Sequence, residues 1–235
     1  VSPWDVIADN GVDDMRWYLF TSSPAGQERR FSSNLVNEVL RTFTLQLWNT
    51  YSFFVLYSNL DAWKPEPGQA MEFSDLDKWL LSALNALVRD VTSAYENYDV
   101  NNATRPIQAF VDQLSNWYLR RSRRRFWRSG EDTLYTALVT VAKLIAPAMP
   151  FVSDEIYRNL VCSINPDAVE SVHMADWPAV DESLIDEQLN REMDLVATLA
   201  SLGHSARNKA NLKVRQPLAE CAFSVGSAEN LAIID

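Results

Sequence analysis

Ser74-Asp75-Leu76-Asp77-Lys78-Trp79-Leu80-Leu81-Ser82-Ala83-Leu84-Asn85-Ala86-Leu87-Val88-Arg89-Asp90-Val91 decides the fold class. Leu76, Leu80, Leu84, Leu87 and Val91, continuing to Tyr95 and Tyr98, step by three and four residues. That is the spacing of one apolar helix face. Ser74, with Asp77 three positions on, reads as a capping box with aspartate in the glutamate position. Outward from this stretch the pattern repeats. Ser2-Pro3-Trp4-Asp5 opens a short helix that should stop at Gly11, and Val12 to Thr21 reads as a second. Ser32 or Ser33 caps a long helix to about Leu60. Asn101 or Asn102 opens a helix that should run to Gly130. Glu131 to Ala146 follows, and Ser153 caps a further short helix.

The chain of 235 residues is 47% hydrophobic and has only six glycines, sparing use that suits a mainly α protein. The expected fold is an antiparallel helical bundle with a small α+β appendage. Residues 1–31 form a short helical lead-in, 32–163 the bundle and 164–235 the appendage, truncated at its end. The appendage earns its β component from two strand-like runs, Ser171-Val172-His173-Met174 and Lys213 to Val225. The core should contain Leu80, Leu84, Leu87, Val91, Phe110, Val111, Leu114, Leu138 and Val141.

Cys162 and Cys221 form no C-x-x-C pair, which argues against a zinc knuckle and for a reducing, cytoplasmic setting. There is no signal peptide pattern and no apolar run of membrane-spanning length. His173 and His204 have no ligand-spaced partner. The acidic pairs Asp13-Asp14, Asp154-Glu155 and Asp181-Glu182 fall at helix starts, where the helix dipole accounts for them. No dinucleotide fingerprint, phosphate loop, nucleophile elbow or H-E-x-x-H is present. The chain starts without a Met, inside a helix cap, and ends on an apolar run, so it reads as a piece of a longer protein.

Charge carries the functional signal. The formal net charge is −10, yet six of the sixteen arginines fall within Trp117-Tyr118-Leu119-Arg120-Arg121-Ser122-Arg123-Arg124-Arg125-Phe126-Trp127-Arg128. No acid lies between Asp112 and Glu131. The helix dipole explains one or two arginines in a last turn, not six interleaved with aromatics. At about 100° per residue the apolar stripe Ile107, Phe110, Val111, Leu114, Tyr118 continues onto Arg121, Arg125 and Arg128. Several unpaired guanidinium groups cannot be buried, so this end should project from the bundle or line a wet groove. Guanidinium forks suit phosphate, and aromatic rings suit unpaired bases. The candidate RNA-binding residues are therefore Arg120, Arg121, Arg123, Arg124, Arg125 and Arg128, with Trp117 and Trp127 as aromatic partners. Arg207, Lys209, Lys213 and Arg215, in an acid-free stretch, form a second candidate contact. No catalytic or metal-binding residue is expected.

Asn116-Trp117-Tyr118-Leu119-Arg120-Arg121-Ser122-Arg123-Arg124-Arg125-Phe126-Trp127 resembles the signature helix of isoleucyl-tRNA synthetases, in the form shared by eukaryotes, archaea and some bacteria. Two further stretches resemble the same family. Ser2 to Ile7 with Gly11-Val12-Asp13-Asp14-Met15-Arg16-Trp17-Tyr18 is similar to the segment after its K-M-S-K-S loop, with Asp and Met where Ala and Leu are commoner. Lys209 to Leu218 is similar to a motif beyond its helical bundle. The resemblance implies the anticodon-binding bundle of a class I aminoacyl-tRNA synthetase. Its partner would be an isoleucine-accepting tRNA, with no membrane or DNA contact, and the chain would be monomeric. The full-length ligase would use ATP and Mg. This chain has no H-I-G-H, no K-M-S-K-S and no editing domain, so alone it should be inactive and hold no cofactor. Two alternatives stand beside this reading: a fragment of a valyl or leucyl enzyme, and a non-enzymatic helical module that docks an acidic partner through its arginines.

Overall fold

The computed structural model describes residues 2–65, 73–123, 125 and 131–224, with only the backbone of Glu131. It divides into two compact units, Val1–Ile185 and Asp186–Asp235. Among the described residues every regular element is helical and there is no strand.

In the first unit, α1 is Pro3–Asn10 and α2 is Val12–Thr21. Gly11 separates them at φ 85°, a left-handed conformation that glycine reaches without strain. Helix α3, Ser33–Val39, is capped by Ser32 and passes through a π turn, Leu40–Thr44, into α4, Leu45–Leu60. Helix α5 is Asp75–Glu96, and its Ser74–Asp77 capping box forms as the sequence indicates. Helix α6, Val100–Gln113, is capped by Asp99, two or three residues ahead of the expected asparagines. The short link after α5 makes α5 and α6 antiparallel neighbours. Helix α6 continues through a π turn, Leu114–Leu119, into α7, Arg120–Ser122. Helix α8 is Glu131–Ile145, and α9, Pro150–Tyr157, ends in a third π turn, Arg158–Cys162. All nine expected core residues are buried, together with Trp17, Phe43, Phe54 and Tyr118.

The lead-in is docked on the bundle by polar side chains reading helix ends. Asp13 of α2 accepts the backbone N–H groups of Phe151 and Val152 at 3.1 and 2.7 Å. It thereby caps α9, whose own N-cap, Met149, has no side-chain acceptor. Ser153, expected in that role, instead bonds back to the Pro150 carbonyl at 3.2 Å. Arg16, one turn on, donates to the carbonyls of Pro147 and Ala148 at 2.8 Å each. Asp14 accepts from Thr44. Asn101 and Arg105 of α6 in turn satisfy the carbonyls of Phe20, Thr21 and Ser22 at the end of α2. So Asp13 and Asp14 are 6% and 4% exposed and hold helices together, which the dipole reading missed. Burial pushes both carboxyls above their ordinary pKa despite these bonds. Asp13→Ala should cost about 1–2 kcal/mol, the usual loss for a deleted cap. Asp13→Asn, which keeps one acceptor, should cost less; urea denaturation of both variants checks this.

Residues 164–185 pack on the first unit, past the expected bundle boundary at 163. Asp154 accepts from Ser171 Oγ and the Val172 N–H at 2.6 and 3.0 Å. Val172 is buried with Ala146 and Tyr157. Trp177 donates to Thr92 at 2.8 Å and meets Tyr95 edge-on, and the Asp181 N–H donates to Asn85 at 2.9 Å. The strand-like run at 171–174 is instead a 3-10 turn, Val172–Met174. Ser171 caps it, and with no neighbouring strand to pair with, its backbone bonds locally.

The second unit carries α10, Glu187–Lys209, capped by Asp186 rather than starting near Asp181. Beyond it, Lys213 to Ser224 contains turns and extended chain without strand pairing. The expected α+β appendage is thus helix and irregular chain among its described residues.

Candidate nucleic-acid interface

The arginine stretch follows the π turn Leu114–Leu119. Bonds from i to i+5 add a residue to the turn, so the side-chain register lags behind that of an α-helix. Leu114, Tyr118 and then Ser122 are buried, while Arg120, Arg121 and Arg123 are exposed. A uniform 100° step carries the apolar stripe onto Arg121; the π turn carries it onto Ser122. The helix expected to reach Gly130 ends at Ser122, and Arg125 follows in a turn, its N–H donating to the Ser122 carbonyl at 2.7 Å. Arg124, Phe126, Trp127, Arg128 and Gly130 lie outside the described residues.

Arg125 does not fit a phosphate-contacting role. Its guanidinium straddles the Asp77 carboxylate with two bonds, one of 2.6 Å, and also donates to Ser74 Oγ and, at 3.1 Å, to the Tyr118 hydroxyl. Tyr118 donates to the same carboxylate at 2.7 Å. Asp77 therefore serves the α5 capping box with one oxygen and anchors the arginine stretch with both. Burial pushes its carboxyl up, but the bonds from Arg125, Ser74 and Tyr118 outweigh that and hold it below its ordinary value. Burial and the adjacent carboxylate push the Tyr118 hydroxyl far up, so it stays a donor. Asp77 was missed as a site residue, although the sequence held a signal. It stands three, four and seven residues before Leu80, Leu81 and Leu84, on the apolar face, where an unpaired carboxylate is costly.

Trp117 is half-buried, and its indole N–H has no partner among the described residues. Arg121 covers its ring, with the guanidinium carbon 3.0 Å from the centroid. That face of Trp117 is closed to a base. Burial lowers the Arg121 pKa, and neighbouring Arg120 adds to the shift. Arg123 lies 5.7 Å from the Phe53 ring centroid. No ion pair joins Arg120, Arg121 or Arg123 to a described residue.

The second candidate contact belongs to the other compact unit. Arg207 donates to the Lys213 and Gln216 carbonyls at 3.0 and 2.8 Å, tying the turn after α10. Its guanidinium is used internally, while Lys209, Lys213 and Arg215 are exposed. His173 Nε2 is 3.0 Å from the Pro150 carbonyl oxygen, and His204 is exposed. No group of three or more metal-ligating side chains occurs among the described residues. No described helix is long and apolar enough to cross a membrane.

The first unit is thus a helical bundle that exposes Arg120, Arg121 and Arg123 at and beyond the end of its π turn. Residues 77–222 match the family model of the anticodon-binding domain of tRNA ligases, and the chain belongs to that family. Among individual relatives, it is 52% identical over 237 residues to the isoleucine–tRNA ligase of Dehalococcoides mccartyi strain 195, covering 97% of this chain and 23% of that protein. It is 44% identical over 241 residues to the isoleucine–tRNA ligase of Clostridium novyi, with the same two coverages of 97% and 23%. The chain thus spans about a quarter of the length of these curated relatives. They are bacterial and lend no support to the narrower eukaryote- and archaea-like form. In fold, the chain is similar to Agrobacterium radiobacter K84 LeuRS, solved as a ternary complex with tRNA and LeuAMS. The TM-score is 0.62 at 17% identity, covering 79% of this chain and 22% of that one.

Proposed function

We propose that this chain is the anticodon-binding portion of an isoleucine–tRNA ligase and holds an isoleucine-accepting tRNA while the rest of the enzyme aminoacylates it. The observation that carries the reading is the exposed set Arg120, Arg121 and Arg123 on a chain of net charge −10. An acidic body repels a polyanion everywhere except at such a patch, which fixes how the RNA sits. Arg124 and Arg128 extend the set by sequence, with Trp127 as a ring for an unpaired base. Arg125 leaves the set because Asp77 occupies it. Lys209, Lys213 and Arg215, in the other unit, form a second contact, with Arg207 shaping the turn that presents them. The relatives named as isoleucine–tRNA ligases favour isoleucine over the valyl and leucyl alternatives. ATP and its Mg belong to the remainder of the ligase, and no residue of this chain is assigned a part in holding them. The chain acts in the cytoplasm as a monomer, without DNA.

Binding of the 235-residue chain to an isoleucine tRNA, an unrelated tRNA and polyglutamate tests the reading. Both tRNAs should bind in a salt-dependent way, the isoleucine tRNA more tightly, and polyglutamate should not compete. Tight binding of polyglutamate with no affinity for tRNA would instead favour a module that docks acidic proteins.

A further inference from the structure

We propose that Arg121, lying on the Trp117 indole, is a stacking platform for one unpaired base of the bound RNA rather than a phosphate ligand. The inference rests on the function proposed above and assigns the chemistry of one residue within that site. The guanidinium carbon stands 3.0 Å above the centre of the Trp117 ring. At that separation the flat group can only lie face-on, because an edge-on group would drive a nitrogen into the ring. One face of the guanidinium is therefore spent on the indole. Arg121 is nonetheless exposed as a residue, which leaves its opposite face available to a ligand.

The platform is also held in place. Trp117 is half-buried with its N–H enclosed, and Arg121 follows it by one helical turn, with Nη1 3.5 Å from the Trp117 carbonyl oxygen. An arginine with one face on a fixed aromatic ring presents a rigid, planar, cationic surface. Such a surface suits the π face of a nucleobase and has little preference among bases. Arg120 and Arg123 flank it, exposed and without an ion pair to a described residue. Exposed cations next to it in sequence are available to the phosphates of the same single strand.

Lysine keeps the charge at this position and loses the plane, so Arg121→Lys separates the two roles. The probe is an anticodon-arm hairpin of an isoleucine tRNA, titrated at several salt concentrations with the 235-residue chain. Arg121→Lys and Arg121→Ala should both weaken binding by about tenfold, the scale of one lost stack, with the wild-type salt slope retained. If Arg121 grips phosphate, Arg121→Lys will bind like wild type and Arg121→Ala will lower the slope by about 0.7–0.9; that result overturns the proposal. A second measurement replaces the loop bases one at a time by abasic sites. One abasic position should weaken wild type by about tenfold and leave Arg121→Lys unaffected, because both changes remove the same contact. Equal losses in both proteins at every position would also overturn it. A wild-type chain that binds no hairpin at any salt refutes the anticodon-binding reading itself, and is seen before any variant is made.

Discussion

Arg125→Ala is expected to destabilise the protein by about 3–5 kcal/mol at neutral pH, the cost of leaving one member of a buried ion pair without its partner. The Asp77 side chain is 4% exposed and that of Arg125 is 32% exposed, so the stranded group is the carboxylate. Asp77→Ala should be damaging for other reasons. It frees the arginine to turn to water, but deletes the α5 capping box and leaves the buried Tyr118 hydroxyl without its acceptor. The pH dependence identifies the cause. In the wild type the Asp77 carboxyl is held below its ordinary value, so its contribution is present above about pH 4 and lost as pH falls further. In Arg125→Ala, burial dominates and raises the same pKa. That variant should therefore lose little or no stability on acidification through this range. Comparing the two proteins cancels Asp13 and Asp14, whose raised pKa values act in the opposite direction in both. Urea denaturation at pH 7 and pH 3 measures the effect; a loss that is small at pH 7, or equal at both, contradicts the anchor.

Trp17→Ala should be as damaging for a different reason. Trp17 is fully buried and stacks on Phe43, with centroids 4.2 Å apart and planes 2° from parallel. Truncating a buried tryptophan removes its contacts and leaves a cavity the surrounding helices cannot close, at a cost of about 3–5 kcal/mol. Trp17→Phe should be much milder. It restores a stacked ring and removes an indole N–H that has no partner among the described residues. Thermal unfolding followed by circular dichroism should show Trp17→Ala melting about 10 °C or more below wild type, with Trp17→Phe between them. Equal melting points for the two variants would show that a ring at this position contributes nothing, by stacking or by filling the space.

The helices were legible because their signals are local. The three-and-four spacing from Leu76 to Val91, the Ser74–Asp77 box and the Ser2-Pro3 start each need only a few consecutive residues. The first two form as read, and the third starts its helix with Pro3 at the first position but without a cap bond from the Ser2 side chain. What escaped depends on partners far along the chain. Asp13 caps a helix 138 and 139 residues away, and Asp77 pairs with an arginine 48 residues away. Local sequence marks Asp77 as a carboxylate on an apolar face, but names the partner of neither aspartate. The π turn at Leu114–Leu119 is hidden for another reason: it shifts the stripe by a single residue, and Arg121 and Ser122 are both compatible with a helix end. That shift decides which arginine is free. The basic stretch itself was plain from charge alone, but its division into free arginines and an anchored one is a tertiary property. The run at 171–174 has a single β-branched residue, Val172, and no strand among the described residues to pair with, so Asp154 takes the Val172 N–H instead.

In the function proposed here Arg120 and Arg123 neutralise RNA phosphate, Arg121 stacks on a base and Arg125 does neither. The most direct measurement is the salt dependence of isoleucine-tRNA affinity for wild type and an Arg120→Ala/Arg123→Ala variant, with folding checked by circular dichroism. Two phosphate contacts should contribute a slope of about 1.4–1.8 between log affinity and log salt, at about 0.7–0.9 each, and the double variant should lose that amount. An unchanged slope and affinity in a correctly folded double variant would contradict the account.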